Sequence, residues 1–498
     1  MLVFFFLLTV VGLCLGQEFI GFGAQRLKNH ESGKKLRVGV GASSSCPEVE
    51  GPLYFTGAVV DNFASEEKQT TWSQRYWLNR RHWAGKGAPI FVFIGGEGEE
   101  AACRLSSRMY MYALAQEHHA MLVDVEHRFY GDSMPVASLS TDSLSLLTSE
   151  QALADLARII QKVKSDLESP TSQVITVGGS YPGNLAAWFR LKYPSITSGS
   201  IASSAPLRAQ TEFPEYMDVV TTSIEYFSGQ GCVDAFAAAA EKVSSLISSQ
   251  DGSGLKQLER DFKTCGPIQS KLDVAVLLSD LMGNIQGTVQ YNNEHSGVMN
   301  VTDICSVMTA TTDAYNQFVE LSAKYRQANG QQCEDASFAD SMAYLGNATF
   351  AYPANAARSW TYQTCNEFGY FQSATSRNQP FYAWRDFLNL DFSLKICNSA
   401  FDGWSKEPQV AWMNSVYGGE KISATNVVFT SGTIDPWHAL GVTNFTAPLP
   451  QKTETPVYIT GTAHCNDLYE PNSETDPESL VWARQQVAAK VAQFLLRA

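Results

Sequence analysis

The chain of 498 residues is 44% hydrophobic and only 17% charged, which excludes disordered and coiled-coil proteins, since both need far more charge. Its charges sum to 36 − 50 = −14, and an acidic surface repels phosphate backbones, arguing against a nucleic-acid partner. The length suits several domains, or one large domain carrying an insertion.

Residues 1–16, MLVFFFLLTVVGLCLG, hold an apolar run that ends at Gly16. The run is too short to span a bilayer, so it predicts a cleaved secretory signal rather than a membrane anchor. No later segment is long and apolar enough to span. Residues 17–50 read as an N-terminal tether, or as a short propeptide cut near Lys34 and Lys35.

Across 51–210, strands and helices alternate. Strand patterns fall at 89–94 (PIFVFI), 120–125 (AMLVDV), 174–177 (VITV) and 200–202. Helical spacing puts Leu153, Leu156, Ile160, Val163 and Leu167 on one face over 149–167. A second helix at 185–193 is stopped by Pro194. Continuous apolar strands alternating with helices imply a parallel sheet covered on both faces. The pattern changes over 211–410, where alanine-rich helical runs at 233–248 and 313–327 suggest a mainly helical insertion. Strand patterns return in 411–498, at 427–430 (VVFT) and 457–460 (VYIT), and an amphipathic helix over 479–496 closes the chain.

Six cysteines cluster in the insertion: Cys232, Cys265, Cys305, Cys333, Cys365 and Cys397. In a secreted chain they predict disulfides, although spacing alone cannot choose the pairs. Cys46, Cys103 and Cys465 make the mature count odd, so at least one is a thiol or pairs with another chain. With no CxxC and no HExxH, neither a metal site nor a cofactor is expected. Asn300, Asn347 and Asn444 begin N-x-T sequons and are candidate glycosylation sites.

Three groups of catalytic type each follow a predicted buried strand: Ser180 after VITV, Asp435 after VVFT and His464 after VYIT. The C-terminal ends of parallel strands share one sheet edge, so these distant residues can meet there. A serine hydroxyl needs a base to become a nucleophile. His464 would take its proton, and Asp435 would orient the imidazole and stabilise its charged form. The order Ser, Asp, His is that of α/β-hydrolases. GGSYPG departs from G-x-S-x-G by placing Pro182 where the motif has glycine. Proline is tolerated there because the first turn of a helix does not use its N–H. The GGEG loop at 95–98 would supply one oxyanion N–H, assigned to Glu97, and Tyr181 would supply the other. His127 and His438 read as structural, and Trp437 as either pocket wall or core.

At these residues the chain resembles the prolyl carboxypeptidase family of serine peptidases, most of all its thymus-specific branch. The stretches that carry the likeness are PIFVFIGGEG, EHRFYG, GGSYPGNLAAWFRLKYP, SIASSAPLRA, DPWH at 435–438 and AHC at 463–465. The resemblance implies an α/β-hydrolase fold. A large helical, disulfide-linked cap of the SKS type would sit between nucleophile and acid, and peptides would be cleaved through an acyl-enzyme. It implies the pairs Cys232–Cys305, Cys265–Cys333 and Cys365–Cys397. Peptide substrates are the expected partners, a homodimer the assembly to test, and the endosomal or lysosomal lumen or the extracellular space the expected location. Trp437 matches the family's pocket tryptophan. Asn184 stands where proline-specific members carry methionine, and Cys465 where carboxypeptidase-type members carry a second histidine. A pocket walled by Trp437, Tyr181, Asn184 and the cap would then be less apolar, and specificity broader than strict post-proline cleavage. The competing expectations are a carboxylesterase or lipase chemistry and a non-catalytic binding protein on the same fold.

Overall fold

The computed structural model describes residues 46–294, 298–350, 354–446 and 448–496. The expected signal at 1–16 and most of the 17–50 tether lie outside these. The chain enters the fold through two strands, β1 (Glu50–Val59) and β2 (Thr71–Asn79), paired antiparallel. The apolar runs form β3 (Ile90–Ile94), β4 (Met121–Val125), β5 (Val174–Gly179) and β6 (Gly199–Ser203), all buried on both faces. A short β7 (Gln210–Glu212) and β8 (Gly369–Phe371) pair with each other, away from the main sheet. β9 (Val427–Gly432) and β10 (Glu454–Ile459) complete eight strands in the order β1-β2-β4-β3-β5-β6-β9-β10. From β4 onward every pairing is parallel.

Strand side chains alternate between two layers, as period-2 geometry requires. Ile90, Val92 and Ile94 face one side. It is covered by helices at Ser149–Asp166 and Tyr181–Lys192. Phe91 and Phe93 face the other side, beneath helices at Tyr110–His118 and Glu478–Leu496. This is the α/β-hydrolase architecture.

Because β6 pairs with β9, everything between residues 203 and 427 is an insertion in one sheet connection, wider than the 211–410 read from the pattern. It holds helices at Glu215–Ser228, Gln230–Ile247, Ser253–Asp261, Lys271–Gln290, Val301–Met308, Ala314–Ala328, Phe338–Leu345, Ala354–Gln363, Leu390–Ala400 and Val410–Tyr417. The β7–β8 pair ties the start of this cap to its later half. Disulfides Cys232–Cys305, Cys265–Cys333 and Cys365–Cys397 cross-link it. A fourth, Cys46–Cys103, ties the chain entry to the loop after β3. Cys465 remains a buried thiol. One apolar cluster runs unbroken from the sheet through Tyr216, Phe236 and Val276 of the cap, so the two layers share a core.

Three elements differ from the sequence pattern. β1 and β2 carry no clean alternation: β1 is largely exposed and irregular, and β2 buries Gln74 and Arg75. Glu126 meets those polar groups: Gln74 Nε2 donates to its carbonyl and Arg75 to its carboxylate, while Gln74 Oε1 has no partner among the described residues. The nucleophile helix starts at Tyr181 rather than at 185, because Pro182 fits its first turn.

Candidate active site

Ser180 occupies the bend between β5 and the Tyr181–Lys192 helix at φ 61°, ψ −130°. L-residues rarely adopt that conformation, and it persists only where the surroundings enforce it. The flanking glycines show how they do. A Cβ on Gly178 would run into the Pro182 carbonyl. One on Gly183 would lie 2.6 Å from the Ser203 oxygen, and one on Gly179 2.8 Å from Cys465 Sγ. The Ser180 N–H donates to the Ser203 carbonyl at 2.8 Å, which holds the bend against β6. The proline that breaks the expected motif is compensated across the site. Its ring packs against Gly96 so closely that a Cβ there would meet Pro182 Cγ. The second glycine of GGEG makes room for the proline of GGSYPG.

Asp435 follows β9 and caps the short helix Pro436–Leu440. Its Oδ1 accepts from the Trp437 N–H at 3.0 Å and lies 2.8 Å from His464 Nδ1. Both side chains are fully buried. His464 follows β10, and its loop is pinned at three points. The His464 N–H donates to the Gln290 carbonyl at 3.0 Å, and the Cys465 N–H donates to Ser204 Oγ at 2.8 Å. Asp467 accepts from Ser203 Oγ at 2.6 Å and from Thr430 Oγ1 at 2.7 Å. His464 Nε2 has no hydrogen-bond partner among the described residues. Asp435 and His464 are therefore joined, while the Ser180–His464 hydrogen bond is not formed. Such bonds are often long in unliganded sites and tighten with substrate.

Tyr181 is the first residue of its helix, so the helix's own ladder does not use its N–H. Its side chain points away from the chemistry: the hydroxyl meets His127 Nε2 at 3.1 Å and accepts from Gln363 Nε2 at 3.0 Å. Burial drives the His127 pKa down to about 3, so this imidazole is neutral and structural. His438 is structural too, held between the Asp435 carbonyl at 2.6 Å and the Tyr458 hydroxyl at 3.1 Å. Glu97 is buried with both carboxyl oxygens unpartnered among the described residues, and desolvation pushes it up to about 8.

The expected pocket residues fall in different places. Trp437 lines a cavity of about 190 Å³ inside the cap, but Tyr181 and Asn184 do not. Asn184 is buried behind the wall: its Nδ2 donates to the Pro206 carbonyl at 3.1 Å and to the Tyr370 hydroxyl at 3.3 Å, and its Oδ1 has no partner among the described residues. Tyr370, whose hydroxyl also donates to Pro206 O, is among the aromatic residues that line the cavity. The sequence reading missed Tyr370 and Gln290, for which no motif or spacing offered a signal. Of the sequons, Asn347 and Asn444 are exposed. Asn300 is half-buried and caps the Val301–Met308 helix through Asp303.

The profile described as Serine carboxypeptidase S28 matches residues 58–487. The chain belongs to the serine carboxypeptidase S28 family. Among curated S28-like relatives, mouse (Mus musculus) thymus-specific serine protease is 32% identical over 447 residues, covering 88% of this chain and 86% of that one. Lysosomal Pro-X carboxypeptidase of Bos taurus is 30% identical, covering 88% and 86%. Solved structures with a similar course include the Pyrobaculum calidifontis esterase, at 12% identity and TM-score 0.33, over 90% of this chain and 85% of that one. The proline iminopeptidase of Mycobacterium smegmatis, at 12% identity and TM-score 0.33, covers 85% and 95%. Membership of S28 makes the chain a serine-type peptidase. No described helix is long and apolar enough to cross a membrane.

Proposed function

We propose that Ser180, Asp435 and His464 are the nucleophile, acid and base of this S28 peptidase. The observation that carries the reading is the strained φ of Ser180 at one strand end, with the buried Asp435–His464 pair at neighbouring strand ends. His464 Nε2 takes the Ser180 proton as Oγ attacks a peptide carbonyl, and the N–H groups of Tyr181 and Glu97 meet the developing oxyanion. His464 then protonates the departing amine. The acyl-enzyme is released by water activated through the same imidazole. Asp435 keeps the ring oriented throughout.

The substrates are peptides, and cleavage extends beyond a strict post-proline preference. The sequence start, the disulfides and the lysosomal relatives favour a secreted, endosomal or lysosomal site of action. The test is covalent labelling by a small fluorophosphonate, run beside hydrolysis of a peptide library and of acyl esters. Wild type should label at Ser180 and cleave peptides. Ser180→Ala should do neither while keeping its melting temperature. Full peptidase activity in that variant would remove Ser180 from the role.

A further inference from the structure

The cavity of about 190 Å³ lies between the Lys271–Gln290 helix, which contributes Gln286 and Gln290, and an aromatic wall of Trp360, Tyr370, Phe392 and Trp437. Among the described residues, none that lines it is charged. A charged side chain would enter without a counter-charge and lose its hydration, which is costly. Proline or alanine would leave most of the volume unfilled and forfeit contacts with the wall.

Gln290 is where this cavity meets the catalytic histidine. Its carbonyl accepts from the His464 N–H at 3.0 Å. Its Oε1 accepts from Trp437 Nε1 at 2.9 Å and from the Tyr216 hydroxyl at 2.7 Å. An indole N–H can only donate, so the orientation of the amide is fixed and Nε2 carries the amide protons. That nitrogen is buried with no partner among the described residues, on a side chain 1% exposed. A buried donor left unpaired is destabilising, so an acceptor brought by a ligand would complete it. Gln290 adjoins the His464 backbone, and the Trp437 ring lies 6.5 Å from the His464 ring. An acceptor at this point therefore belongs to the peptide near its scissile bond, where every residue carries a carbonyl.

We infer that this cavity is a substrate subsite that takes a bulky, uncharged side chain, and that Gln290 Nε2 donates to a carbonyl oxygen of the same peptide. The inference rests on the peptidase centre proposed above and adds its specificity. Tyr370 and Trp437 form the wall against which the side chain packs. Gln290 acts on substrate directly through Nε2 and holds Trp437 through Oε1.

The test uses the full-length protein and matched peptides with Phe, Leu, Ala, Pro or Lys, varied one acyl-side position at a time. At one position Phe or Leu should exceed Ala, Pro and Lys by about tenfold in kcat/KM. Ser279→Phe, which fills the cavity from the helix side, should cost the Phe peptide about tenfold more than the Ala peptide. Gln290→Glu keeps the acceptor for Trp437 and Tyr216 but replaces the donor by a carboxylate. Its kcat/KM relative to wild type should fall about tenfold once that carboxyl ionises, above about pH 8 as for the buried Glu97 and Glu367, and recover at lower pH, where the protonated carboxyl donates again. Burial raises the Tyr216 and Tyr291 hydroxyls well above their ordinary value of 10, so neither changes charge between these pH values. Fluorophosphonate labelling, which does not reach the cavity, should fall far less than peptide hydrolysis. No preference for Phe or Leu, or a variant-to-wild-type ratio flat with pH, would overturn the subsite. So would labelling that drops in parallel with hydrolysis, since that is the signature of a purely structural Gln290. A wild type that fails to label overturns the catalytic triad itself and is a separate failure.

Discussion

At the scale of single residues, the site is built from steric coincidences that a motif search counts as errors. Pro182 breaks the expected G-x-S-x-G, yet its ring fills the space that Gly96 leaves open. The two positions should therefore be coupled. Gly96→Ala should destabilise by about 1–3 kcal/mol and slow hydrolysis, because backbone and ring cannot both hold their places. Adding Pro182→Gly should restore much of the loss, and a double-mutant cycle on melting temperature and kcat/KM checks it. Asn184 behaves as a tether for Tyr370 rather than as a pocket lining. Asn184→Met should remove a buried hydrogen bond to Pro206 at a cost of about 1 kcal/mol. It should also change KM more than the rate of labelling at Ser180, measured by steady-state kinetics beside probe reactivity.

At the scale of elements, the cap is a helical layer whose span is closed by β7 pairing with β8 and whose lobes are stapled by disulfides. Cys365–Cys397 closes a segment of sequence separation 32, and both residues line the cavity. Replacing both by serine releases that loop in the unfolded chain and should cost about 3 kcal/mol. The same change loosens the wall carrying Phe392 and Ile396. Denaturant unfolding should move its midpoint down, and kcat/KM should fall more for bulky than for small substrates.

At the scale of the whole molecule, buried carboxyls set the response to pH. Burial lifts Glu97 from 4.5 to about 8, and Glu367, which accepts from the Ser149 N–H and hydroxyl, also to about 8. The folded protein holds these protons up to about pH 8, whereas the unfolded chain releases them near 4.5. Between those values the unfolded state binds fewer protons, so stability falls as pH rises. The melting temperature should be several degrees higher at pH 5 than at pH 7.5, and Glu97→Gln with Glu367→Gln should flatten that slope. A calorimetric pH series checks the sign. A protein more stable in mild acid suits an acidic lumen.

The sequence by itself determined the central sheet, because runs such as IFVFI and VITV can bury both faces only between helical layers. It also singled out Ser180, Asp435 and His464, since strand-end polar residues in that order have few other uses. It marked the cap by composition but not its bounds, because the insertion is defined by β6 meeting β9, a pairing between residues more than two hundred positions apart. Strands β1 and β2 escaped for a related reason: Arg75 and Gln74 look solvated in the text and become core only when Glu126 arrives from β4's end. Which side chains line the cavity was likewise decided by tertiary structure. Hydrogen bonds donated by Asn184 to Pro206 and Tyr370 hold it behind the wall, and Gln290 reaches His464 only because a cap helix ends there. Local periodicity fixes what a segment can become, whereas a site depends on which distant groups satisfy one another once water is gone.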